Sequence, residues 1–215
     1  MTTTLNQPFL TDINELRRRA REDMDQGAVT ASYGLDTKQA VEILNRVLAS
    51  EIVCVLRYKR HYYMAQGIHA EAVAAEFLQH ASEEQAHAEL LAHRIVQLGG
   101  GPDFNPEGLL SRSVAQYIEG TSLTEMIEED LVAERVVIMW YAEIARWFGE
   151  KDPTSRRLLE QLLADEEVHA DDLANLLADM DHIQGRSAPS SSGRNGSQTR
   201  DFQDFQQAAD STTME

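Results

Sequence analysis

The sequence predicts an all-α protein: four long helices packed as a bundle, a long crossover between the second and third, and a short helix ahead of them. Three observations predict it. Apolar residues recur at steps of three and four through four long stretches. Two of the breaks between these stretches are short and one is long. The motif Glu-x-x-His occurs twice, at Glu84 to His87 and Glu166 to His169, each with a glutamate upstream, Glu51 and Glu134, so the chain reads as two copies of one helical hairpin.

Residues 1–35 read as an N-terminal arm carrying one short helix. Asp12 and Glu15 form a capping box at its start, and Arg17, Arg18, Arg19 and Arg21 line it, balanced by Glu15, Glu22 and Asp23 on a solvated face. Gly27 and the Tyr33-Gly34 pair break the pattern. The first long helix is expected from about Asp36, capped with Gln39, to Gly67, with Leu44, Leu48, Glu51, Val55, Tyr58 and Tyr62 on its apolar stripe. The second is expected from His69 to Leu98, its stripe passing through Val73, Phe77, His80, Glu84, His87 and Leu91, and Gly99-Gly100-Gly101-Pro102 ends it.

From Gly99 to about Thr121 the chain lacks a helical period. A connection of that length between neighbouring helices implies a crossover from one end of the bundle to the other. Ser122 with Glu125 caps the third helix, whose stripe is Ile127, Leu131, Glu134, Ile138, Tyr141, Ala145 and Phe148. Asp152 followed by Pro153 opens the fourth, with Leu159, Leu162, Glu166, His169, Leu173 and Leu176 facing inward. The bundle is thus expected over residues 36–183, and the Ser-, Gly- and Gln-rich residues 184–215 read as a disordered polar tail.

The chain has 215 residues, enough for one well-buried domain with extensions. Its 19 basic against 36 acidic residues give a net charge of −17, which opposes the phosphate contacts that nucleic-acid binding requires and disfavours DNA as a partner. No apolar run reaches the length of a membrane span and no secretory leader pattern is present, so a cytoplasmic location is expected. The single cysteine, Cys54, excludes an intrachain disulfide and a four-cysteine metal site, and reads as a small buried residue.

The repeat also places the six motif residues in space. Glu51 and Glu84 are 33 residues apart with their midpoint on the first turn, and Glu134 and Glu166 are 32 apart with their midpoint beside the Lys151-Asp152-Pro153 turn. In an antiparallel hairpin each pair therefore lies at one level, near mid-bundle, and a crossover that returns the chain to the opposite end brings the two hairpins together around that level. Four carboxylates in an apolar core repel one another unless cations neutralise them, and two divalent ions do so. Oxygen-rich ligation with one imidazole per ion suits iron or manganese, with zinc chemically possible. The other histidines, including His61, His69, His80 and His93, show no such pairing and read as surface or cavity residues.

Over roughly residues 36–180, the segments EIVCVLRYKRHYYM, HASEEQAHAELL, EEDLVAERVVIMWY and LADEEVHADDL resemble the ferritin-like di-iron superfamily, most of all bacterioferritin and the Dps-like bacterioferritin relatives. The resemblance implies that Glu51 and Glu134 are terminal carboxylates, Glu84 and Glu166 metal bridges, and His87 and His169 imidazole ligands of two iron ions. It also matches Tyr58 to a tyrosine beside the family's ferroxidase centre. The implied function is oxidation of Fe(II) by peroxide or dioxygen, with iron storage and detoxification in a homo-oligomeric shell. The rivals are a peroxide-consuming enzyme of the manganese catalase kind and a Dps-type DNA-protecting protein. Gln85 stands where bacterioferritins carry their haem methionine, so haem is not expected. The fifth helix of larger ferritin cages has no clear counterpart, which favours twelve subunits over twenty-four.

Overall fold

The computed structural model describes residues 10–67 and 70–183. Helix α1 spans Ile13–Arg19, α2 Thr37–Met64, α3 Ala70–Gln97, α4 Leu109–Arg112, α5 Leu123–Phe148 and α6 Pro153–Ile183, and a short 3₁₀ turn covers Met24–Gln26. Every described element is helical. The tail expected over residues 184–215, and His69, lie outside the described residues.

The helix starts follow local side-chain chemistry. Asp12 accepts from the Asn14 and Glu15 amides, Asp36 from Lys38 and Gln39, and Ser122 from Glu125, each satisfying amides that have no partner within the helix. At the end of α3, Gly99 adopts φ 79°, and the Gly100 amide reaches back to the Ile95 carbonyl at 3.0 Å, the bonding of a Schellman cap. A side chain at Gly100 would also collide with Val41, so the end of α3 and the beginning of α2 pack backbone to side chain.

Neighbouring long helices run antiparallel. Along α2 and α3, Val41 meets Gly100, Glu51 meets His87 and Tyr58 meets Phe77. Across the bundle, Glu51 bonds Tyr141 of α5 and Tyr58 bonds Glu134. On α3 and α6, His80 lies by Asp172, His87 by Asp165 and Arg94 by Asp152. In each pair one residue number rises as the other falls. The crossover therefore delivers α5 from the end opposite to where α3 stopped, and the two hairpins are related by a pseudo-twofold axis.

The core between them holds Leu44, Leu48, Phe77, Leu91, Ile127, Phe148, Leu159 and Leu162, all fully buried. Two polar networks pin the crossover and the helix ends. Arg57 donates to Asp130 at 2.6 Å and to the Gln116 carbonyl at 2.8 Å. His61 lies 2.7 Å from the second Asp130 oxygen and 3.1 Å from the Ile118 carbonyl. His61 is therefore a fully buried strut, which its sequence context did not reveal. At the other end Asp152 accepts from Tyr33, Arg94 and Ser155, tying the N-terminal segment and α3 to the first turn of α6.

The basic cluster at α1 is balanced in part, since Arg17 bonds Asn14 and Arg21 the Arg17 carbonyl, and neither pairs with an acid among the described residues. Arg18 pairs with Glu15 and Glu22, and Arg19 with Glu15, while Asp23 opens the 3₁₀ turn. Cys54 is buried, as expected, and burial pushes its thiol well above the usual range. Among the described residues no helix is long and apolar enough to cross a membrane.

Candidate metal centre

Glu51 from α2, Glu84 and His87 from α3, Glu134 from α5, and Glu166 and His169 from α6 meet at mid-bundle, each no more than 4% exposed. They form two overlapping clusters, Glu51, Glu84, His87 and Glu166, and Glu84, Glu134, Glu166 and His169, with one donor atom from each residue lying within 4.8 Å of the others. Glu84 and Glu166 belong to both.

The two shared carboxylates divide their oxygens between the two imidazoles. His87 Nδ1 is 3.6 Å from Glu84 Oε2 and 3.3 Å from Glu166 Oε1. His169 Nδ1 is 3.4 Å from Glu84 Oε1 and 3.1 Å from Glu166 Oε2. Ligands about 2.1 Å from a common ion stand roughly 3.0 to 3.4 Å apart, so three of these spacings match two ions sharing two carboxylates, and the 3.6 Å from His87 to Glu84 lies just beyond that range. Glu51 completes the His87 cluster at 3.4 Å from Nδ1, and Glu134 completes the His169 cluster.

The far ring nitrogens are held from behind. His87 Nε2 faces Asp165 at 3.2 Å and His169 Nε2 faces Glu83 at 2.8 Å. A carboxylate at Nε2 favours the proton there and leaves the Nδ1 lone pair directed at the centre, the arrangement that orients histidine ligands. The two unshared carboxylates are held by the opposite helix, Glu134 by the Tyr58 hydroxyl and Glu51 by the Tyr141 hydroxyl. Burial raises both phenols well above their usual range, so each is a hydrogen-bond donor.

The remaining carboxylate valence has no protein partner. Glu51 Oε2, both Glu84 oxygens, Glu134 Oε2, Glu166 Oε1 and His87 Nδ1 are buried without a hydrogen bond. Buried acceptors left unmatched are costly, and here they all face one point, so the donor set fits a pair of divalent cations. Electrostatics agree. Burial, then the Glu84 charge, push Glu51 up to about 8, and burial with Glu166 and Glu84 pushes Glu134 well up. Burial depresses His169, but the Glu166 and Glu84 carboxylates facing its Nδ1 override this and hold it at about 12. His87 is likewise raised by Glu166, Glu51 and Glu84 against its burial. Without a metal, protons fill the place of the cations.

All six expected ligands, and Tyr58, thus come together. Tyr141, Glu83 and Asp165 were not singled out by the motif analysis, although the repeat contains them: Tyr58 to Tyr141 is the same 83-residue step as Glu51 to Glu134, and Glu83 to Asp165 the same 82-residue step as Glu84 to Glu166. A groove of about 310 Å³ between α3 and α6 opens onto the two imidazoles, lined by Glu83, His87, Asp165, His169 and Asp172.

A family model described as a ferritin-like domain matches residues 41–183, two thirds of the chain and all six of these side chains. The chain belongs to the ferritin-like family. This ferritin-like chain is 32% identical over 144 residues to the bacterioferritin of Mycobacterium bovis, an alignment covering 66% of this chain and 86% of the relative. Among solved structures, a dodecameric thioferritin from Bacteroides fragilis, a bacterioferritin-related protein, superposes with a TM-score of 0.68 at 30% identity, covering 73% of this chain and 94% of that one. A ferritin-like di-iron-carboxylate protein from Bacillus anthracis superposes with a TM-score of 0.58 at 28% identity, covering 66% and 96%.

Proposed function

We propose that this ferritin-like protein oxidises Fe(II) at a two-ion centre within each subunit and stores the ferric product inside a homo-oligomeric shell. The observation that carries the reading is the division of Glu84 and Glu166 oxygens between His87 and His169, which suits two equivalent cations side by side. Glu51 with His87 would hold one Fe(II), Glu134 with His169 the other, and Glu84 and Glu166 would bridge them.

Each part of the surroundings has a task. Carboxylates favour the higher charge of Fe(III) over Fe(II), which lowers the cost of oxidation. Two Fe(II) ions supply two electrons, which with two protons reduce peroxide to water or dioxygen to peroxide. Tyr58 and Tyr141 hold the terminal carboxylates in place, and Glu83 and Asp165 keep both imidazoles in the ligating tautomer. The groove between α3 and α6 gives ions an acidic approach, while the apolar core on the other sides excludes water. The dodecameric state of the Bacteroides fragilis protein supports a twelve-subunit shell.

Aerobic addition of Fe(II) to the metal-free protein is expected to give a fast ferric absorbance phase saturating at two ions per subunit. Glu84→Ala combined with Glu166→Ala is expected to abolish that phase with helical content retained by circular dichroism. An unchanged rate in the double variant would reject the centre. Metal analysis of protein purified without added metal separates iron from manganese, and oxygen release from peroxide would redirect the assignment to a catalase.

A further inference from the structure

Three residues beside the six-ligand cluster are unexplained by it. His80 of α3 is fully buried, and neither ring nitrogen makes a hydrogen bond. Its ring stacks on that of His169, centroids 4.1 Å apart. Its Nε2 is directed at two carboxylates, Glu76 Oε1 at 3.2 Å and Asp172 Oδ2 at 3.8 Å, and single donor atoms of the three residues lie within 4.8 Å of one another. The two carboxylates are only half-buried, with side chains 28% and 41% exposed.

The internal repeat shows that the bundle does not need these residue types here. The step of 82 residues that relates Glu84 to Glu166 relates Glu76 to Leu158 and His80 to Leu162, and it relates Asp172 back to Leu90. The equivalent positions, Leu90 on α3 and Leu158 and Leu162 on α6, are all leucine, Leu162 being fully buried. On the other side of the pseudo-twofold axis an imidazole and two carboxylates stand in their place, leaving a buried ring without hydrogen-bond partners where an aliphatic side chain packs well.

We propose that Glu76, His80 and Asp172 form a third cation site, selective for a first-row divalent transition ion, on the groove side of the six-ligand centre. One imidazole nitrogen and two carboxylates are a borderline-hard donor set that suits Fe(II), Co(II) or Zn(II) over calcium or magnesium. The Nε2 to oxygen spacings already approach those of ligands sharing one ion, and the half-exposed carboxylates adjust by side-chain rotation. A neighbouring carboxylate leads inward: Glu83 lies within ligating reach of both His80 and His169, so an ion at His80 is one carboxylate away from the centre. Assignment of its occupant as Fe(II) waiting to enter the centre rests on the ferroxidase reading. The existence of the cation site does not.

Cobalt(II) is the probe. Wild-type crystals soaked in cobalt chloride, at the concentration that just fills the six-ligand centre, are expected to show three anomalous peaks per subunit. The third is expected about 2.1 Å from His80 Nε2. Glu76→Gln with Asp172→Asn, both on the solvent rim and tolerable to the fold, is expected to remove the third peak and keep the other two. Glu84→Ala with Glu166→Ala is expected to do the reverse. Two peaks at the centre with none at His80 would overturn this proposal alone, as would a third peak that survives the rim substitutions. A peak at His80 with none at the centre would instead overturn the ferroxidase reading.

Discussion

Glu51 sits where burial and the neighbouring Glu84 charge compete with His87, and the result is a carboxyl raised to about 8. At neutral pH it is mostly protonated in the metal-free protein, while His87 and His169 are held protonated by the surrounding carboxylates. Cation binding must displace these protons, so affinity for Co(II) is expected to rise with pH through about 8. Calorimetric titration at pH 6.5 in buffers of different ionisation enthalpy is expected to register proton release; heats independent of buffer would show that the centre is not protonated as described.

The same shifts set the stability of the metal-free protein. Glu51 binds more protons folded than unfolded between its ordinary 4.5 and about 8, so its contribution is present below the first value and is lost as pH rises through the second. The two raised histidines act in the same direction, theirs present below 6.5 and lost as pH climbs toward their folded values. Thermal melts of metal-free protein are expected to give a lower midpoint at pH 8 than at pH 5. Added Co(II) is expected to close that gap, because the ions take over the neutralisation. At Tyr58, removal of the hydroxyl takes one donor from Glu134, and Tyr58→Phe is expected to slow Fe(II) oxidation by about tenfold, the equivalent of one charge-assisted hydrogen bond of ~1.4 kcal/mol. Cobalt stoichiometry that falls together with the rate would mean that the phenol holds the ligand set together, beyond positioning one carboxylate.

Among the elements, the caps and stripes were legible because they are local codes. Asp12, Asp36 and Ser122 cap where their sequence neighbours indicate, and the stripe through Val73, Phe77, His80, Glu84, His87 and Leu91 is buried throughout. The convergence of the six motif residues was legible for a related reason: two matching spacings are improbable unless the structure repeats. Tyr141, Glu83 and Asp165 obey the same repeat but belong to residue types common on any helix, so spacing without geometry gave no ground to select them. The Arg57, His61 and Asp130 network has no repeat partner and spans two helices and a loop, with Asp130 more than sixty positions from both its partners. No local pattern encodes such a contact, and the single turn at Leu109–Arg112 inside the crossover was equally silent. The network makes its own prediction. Asp130→Ala leaves the Arg57 guanidinium buried without its counter-charge and frees the crossover from α2, so unfolding by denaturant is expected to show a loss of about 3 to 5 kcal/mol. A loss below ~1 kcal/mol would mean that the crossover is anchored elsewhere.

For the whole molecule, oxidation and storage make different demands. The six clustered side chains come from four helices of one chain, so on the proposed reading a lone subunit would carry a complete two-ion centre. Storage needs an enclosed volume, which a bundle packed with leucine and phenylalanine at its core does not offer. Closed assembly of the proposed kind would supply it, and a net charge of −17 per chain would provide carboxylates for ferric ions. A twelve-subunit shell of this 24.1 kDa chain has a mass of about 290 kDa, and a twenty-four-subunit shell about 580 kDa. Sedimentation at physiological salt is expected to give the smaller particle, and Fe(II) added aerobically beyond two ions per subunit is expected to stay in solution within it. A 24 kDa species that still oxidises iron but sheds it as a precipitate would separate the two activities, leaving the ferroxidase centre intact and removing the storage role.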